Sequence, residues 1–95
     1  MRLFDIDKGR VQINPAALWI PEFKKLWNRD KTKEKIRATN EISYVVFMYD
    51  FTSPYRDYSE QDREEKVLKD CFPDIPNWKP DKDIEKAVKR FREFQ

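Results

Sequence analysis

A chain of 95 residues with 40% charged side chains and a net charge of +2 has room for one domain and no global pull toward nucleic acid or membrane. Seven Phe, four Tyr and three Trp set it apart from disordered chains, which combine high charge with few aromatics. The lack of histidine excludes Ser-His-Asp, Cys-His and imidazole-zinc sites, the single cysteine excludes an internal disulfide, and the single glycine excludes P-loop and dinucleotide phosphate cradles.

Residues 3–7 and 11–13 flank Lys8-Gly9-Arg10, with Gly9 where a tight turn needs positive φ, and predict a short N-terminal β-hairpin. Asn14-Pro15 is an N-cap followed by a proline whose missing N–H costs nothing in a first helical turn. That turn must stop before Pro21, which opens a second helix to about residue 28 with Phe23, Leu26 and Trp27 on one face. Asp30 or Thr32 can cap the longest helix, about 33–50.

The segment ISYVVFMYDFTSPYRDY, residues 42–58, is the most apolar of the chain. Its composition would also suit a strand, but spacing decides for helix. Ala38, Ile42, Val45 and Tyr49 form one stripe, and Tyr44, Phe47, Met48 and Phe51 form another on the opposite side. A helix apolar on two sides is buried between neighbours, so this one is expected to be central. Ser59 caps the next helix, with Asp62 in a capping-box position and Val67, Leu68 and Cys71 on the apolar face. Pro73, Pro76 and Pro80 punctuate an extended link, and a last helix starts near Asp81 with Ile84, Ala87, Val88 and Phe91 in register. The fold expected is mainly α: one small helical bundle around the helix at 33–50, with the hairpin at its start. The last helix has no glycine cap or proline stop, which predicts that the chain continues past Gln95. Nothing near Arg2 reads as a signal peptide and no apolar run approaches a membrane span, so synthesis in the cytoplasm is expected.

Few residue groups could carry chemistry. Asp50, with Tyr49, Tyr55, Arg56 and Asp57, is the best candidate for a perturbed acid. The bland reading is stronger: Asp50, Ser53, Pro54 and Tyr55 form a structural turn, with the carboxylate accepting bonds from the amides of Ser53 or Tyr55. Glu60, Asp62, Glu64 and Glu65 lie where acids favour a helix dipole, and they lack the spacing of a calcium loop. No metal and no cofactor is expected. The basic stretch at 24–37 interleaves Lys24, Lys25, Arg29 and Lys31 with Trp27, which could contact phosphates and stack a base. Glu22, Asp30 and Glu34 dilute it, so nucleic acid is the alternative rather than the leading reading.

The sequences IPEFKKLWNRDKTKEK at 20–35 and ISYVVFMYDFTSPY at 42–55 resemble small virion-associated structural proteins of large tailed, crAss-like bacteriophages. The resemblance covers about a third of the chain. It implies a non-enzymatic component of capsid or tail assembly that binds other virion proteins, present in the host cytoplasm and then in the virion. It carries over no catalytic residue. Aromatic side chains beyond what a small core can cover point to a partner surface, and Trp19, Phe72, Ile75 and Trp78 are the expected contacts.

Overall fold

The computed structural model describes residues 3–50 and 52–94; Phe51, assigned above to the second apolar stripe, lies outside the described residues, as does Gln95. The chain starts with an antiparallel hairpin, β1 (Phe4–Asp7) and β2 (Arg10–Ile13), in which Asp7 pairs with Arg10 and Phe4 with Ile13. Lys8 (φ 53°) and Gly9 (φ 74°) both lie at positive φ, as the central residues of a type I′ turn must. Phe4, Ile6, Val11 and Ile13 share the face that covers the core, and Phe4 inserts between Phe23 and Phe91 at ring distances of 5.0 and 5.7 Å.

A 3-10 turn, Pro15–Trp19, follows, with Asn14 Oδ1 accepting from the Ala16 amide as expected of an N-cap. Pro21 opens α1 (Pro21–Arg29), which buries Phe23 and Leu26. The central helix, α2 (Ile36–Tyr49), packs against α1, β2 and the two later helices, and every residue from 41 to 48 is buried. Two apolar stripes need cover on both sides, and the surrounding elements supply it. The helices that complete the bundle are α3 (Glu60–Cys71) and α4 (Lys82–Glu93). Ser59 Oγ accepts from the Asp62 amide and Asp81 Oδ1 from the Ile84 amide, so both N-termini are capped where the sequence placed the caps. The architecture is mainly α with an N-terminal hairpin.

Two local expectations are corrected. The central helix starts at Ile36 rather than near residue 33, because Lys35 takes a left-handed conformation (φ 54°, ψ 34°) and ends the preceding loop. Its capping is also indirect. Asp30 Oδ2 accepts from the Ala38 amide and Oδ1 from the amide and hydroxyl of Thr32, so a residue just past α1 caps α2. In return the Lys35 ammonium donates to the carbonyls of Trp27 and Asp30 at the end of α1. The second correction concerns the link after α3, which is not extended. Two successive turns, Ile75 N–H to Phe72 O and Trp78 N–H to Ile75 O, fold it back until the Phe72 and Trp78 rings stack 4.0 Å apart. Trp78 also meets Tyr44 edge-on at 4.9 Å.

The core assignment makes Val46→Asp decisive. Val46 is fully buried, and an unpaired charge there exceeds the stability of a domain this small. The variant should lose cooperative melting by circular dichroism; a melting curve like the parent's would refute the role of α2. Asp30 predicts a pH dependence. The Ala38 amide, then Thr32, hold its pKa down from 3.8 to about 2. A depressed carboxylate contributes stability that is full above the unfolded value and lost as pH falls through the folded one. Between pH 4 and 2 the decline in Tm should therefore be shallower in Asp30→Asn than in the parent. Parallel declines would remove Asp30 from the account.

Candidate functional site: a groove between the hairpin and the central helix

One stripe of α2 remains uncovered by helices. Ile36, Thr39, Asn40, Ser43 and Phe47 recur on that side, and together with β2 they line an open groove of about 590 Å³. The far wall is Tyr55 with Asp70 and Cys71 from the end of α3. A shallower depression of about 310 Å³ shares Asn40, Asp70 and Cys71 with it and continues to Ile75. The hairpin edge thus faces a helix across a trough whose floor mixes Val11 and Phe47 with small polar side chains. Cys71 is buried in this wall, and burial, then the neighbouring Asp70 charge, pushes its thiol up to about 12. At neutral pH it is a thiol and a packing group.

The Tyr55 wall is held by the turn after α2. Ser53 is fully buried, donates through Oγ to the Phe47 carbonyl at 2.6 Å and accepts from the Tyr55 amide at 3.1 Å. Asp50 accepts from the Ser53 amide through its backbone carbonyl and from the Thr52 hydroxyl through its carboxylate. The Tyr55 amide, offered above to the Asp50 carboxylate, is taken by the Ser53 hydroxyl. Pro54 is exposed at the tip. The Tyr55 hydroxyl donates to Asp70, and burial followed by that bond raises its pKa. Arg63 closes the turn from below: its guanidinium donates to the carbonyls of Met48, Tyr55, Arg56 and Tyr58. Nothing in the sequence singled out Arg63, whose partners are main-chain atoms.

The basic stretch is rearranged by the fold. Arg29, read as a possible phosphate contact, turns inward to the buried Glu41 carboxylate at 2.8 Å and reaches Asp81 at 2.8 Å and Asp83 at 3.0 Å. Burial opposes its charge, but the bonds to Glu41 and Asp81 outweigh that cost and raise its pKa. Lys25 pairs with Asp83 at 3.1 Å, Lys35 holds the end of α1, and Lys24 and Lys31 are exposed. The stretch is therefore not a continuous basic face. Arg37 also donates to Glu41, whose Oε1 is buried with no partner among the described residues.

Of the expected partner contacts, Phe72 is corrected: it is buried, because the stack with Trp78 and the core contacts remove it from solvent. Trp78 is half-buried in the same stack. Trp19 is 87% exposed and Ile75 51% exposed. The groove residues Thr39, Asn40 and Ser43 were missed. Their signal was available: three polar residues at i, i+1 and i+4 share one side of an otherwise buried helix. Among the described residues no three Cys, Asp or Glu side chains gather as a metal would need, and no helix is long and apolar enough to cross a membrane. Comparison with protein families, curated proteins and solved structures gives no match.

The Glu41 site predicts a test by double-mutant cycle. Removing one partner of a buried ion pair costs about 3–5 kcal/mol, while an apolar replacement of both is often neutral. Arg29→Met, which leaves the buried Glu41 carboxylate with only the exposed Arg37, should lose roughly that amount in denaturant unfolding, and Arg29→Met with Glu41→Leu should recover most of it. A double variant as weak as the sum of the two singles would show that the pair is not coupled.

Proposed function

We propose that this chain is a non-enzymatic interaction protein that binds other proteins of a particle, a structural component of a tailed-phage virion in capsid or tail assembly. The observation that carries the interaction reading is Trp19. Its backbone is fixed at the end of a capped 3-10 turn, two residues before Pro21, and its indole is 87% exposed, leaving a large apolar surface in water. Covering such a ring removes roughly 150–250 Å² of surface, and tryptophans are over-represented among the residues that dominate binding energy. Ile75, presented by the folded link, adds a second apolar contact. The virion assignment rests on the sequence resemblance at 20–35 and 42–55. The inward turn of Arg29 and the pairing of Lys25 count against the nucleic-acid alternative, because phosphate contacts need free, contiguous cations.

Trp19→Ala should leave the Tm of the isolated chain within about 2 °C of the parent, since few contacts are lost on the folded side. It should weaken co-purification with virion proteins by about thirtyfold or more, the loss typical of a hot-spot anchor. Mass spectrometry of purified particles reads the virion assignment separately. A chain absent from particles would sink that assignment, and undiminished capture of partners by Trp19→Ala would sink the role of the indole.

A further inference from the structure

The hairpin register leaves one sheet edge open onto the groove. The Asn14 amide donates to the Leu3 carbonyl at 2.9 Å, so that pair is hydrogen-bonded, and alternation makes Asp5–Gln12 and Asp7–Arg10 the other bonded pairs. Val11 and Ile13 consequently aim their N–H and C=O groups away from β1. Among the described residues none of these groups has a hydrogen-bond partner. Val11 lines the trough whose other side is α2 and whose end wall is Tyr55 and Asp70, and Ile13 is the next residue of β2 with its main-chain groups turned the same way.

We propose that this groove takes an extended, basic segment of a partner protein, added antiparallel to β2 as a third strand. The inference deepens the interaction reading above and rests on it. Main-chain groups of Val11 and Ile13 supply the affinity, as in other cases of strand addition. The window is short, since β2 has 4 residues and Pro15 lies just beyond it, and at about 3.3 Å per residue it spans about 13 Å. Charge selects the occupant. Glu34, Asp70 and Asp74 line the joined depressions against Arg10 alone among cations. A second copy pairing through its own β2 would bring the same carboxylates against these, whereas lysines would neutralise them. Because paired residues share a face of the sheet, the residue bonded to Val11 also faces the floor at Phe47 and Ser43, and the one two places along is turned the same way. Small β-branched side chains fit that position and cations fit the rim.

The probe is a fluorescein-labelled hexapeptide of alternating lysine and valine, titrated by anisotropy against the whole chain. N-methylation of the valine amides should weaken binding about tenfold or more, and methylation of the lysine amides should leave it within about twofold. On binding, the Val11 and Ile13 amides should shift in the proton–nitrogen spectrum and exchange more slowly with deuterium. A glutamate–valine peptide should bind at least about tenfold more weakly. All of these compare peptides on one unaltered protein, so no variant has to fold. No binding of the parent peptide, equal loss in both methylated peptides, equal binding of the acidic peptide, or a β2-mediated dimer in sedimentation each overturns the proposal. Loss of partner capture in Trp19→Ala with peptide binding intact separates this site from the indole.

Discussion

The contact between Arg29 and Glu41 constrains the rest of the molecule. Glu41 lies on the central helix within a span buried from 41 to 48, where a lone carboxylate would be prohibitive. Arg29 neutralises it from the last turn of α1 and then extends to Asp81 and Asp83 at the start of α4. Asp81 uses one oxygen for Arg29 and the other to cap α4, so the same residue starts that helix and ties it to the network. Three helices are held in one relation by a single guanidinium. Such a group adds little net stability, but any packing that separates it leaves a buried charge unpaired and is penalised heavily. The apolar contacts around it hold the domain together; the ion network selects which arrangement of them is allowed.

Much of that arrangement was legible where the signal is local. Gly9 marked the hairpin turn, Asn14, Ser59 and Asp81 marked helix starts, and the two stripes of α2 announced a helix covered on both sides. What escaped depends on residues far apart in sequence. Arg29 and Glu41 are unremarkable charges until α1 and α2 pack, and Arg63 recognises carbonyls, which no side-chain pattern encodes. The 72–78 link was misread for a related reason. Its prolines suggest an extended chain, but stacking Phe72 on Trp78 outweighs that preference, and the two intervening turns accommodate it. The groove was illegible as a whole because its walls come from the hairpin, α2 and the end of α3.

The turn after α2 shows how a groove wall can be rigid without regular structure. Ser53 bonds the Phe47 carbonyl, one of the acceptors a helix leaves open at its C-terminus, and Arg63 takes the Met48 carbonyl. The same guanidinium reaches three further carbonyls of the loop, so the wall carrying Tyr55 moves only if α3 moves with it. Tyr55 also packs edge-on against Phe47 at 5.4 Å, joining the wall to the floor.

The corner between α1 and α2 follows a different electrostatic rule from the network at Arg29. Asp30 and Lys35 carry opposite charges, yet they bond neutral groups: the carboxylate accepts from the Ala38 and Thr32 amides and the Thr32 hydroxyl, and the ammonium donates to the carbonyls of Trp27 and Asp30. Hydrogen bonds act at contact distance, far inside the Debye length of about 8 Å at physiological ionic strength. The corner between the two helices is therefore fastened by short-range contacts between charges and peptide dipoles, which dissolved salt screens little.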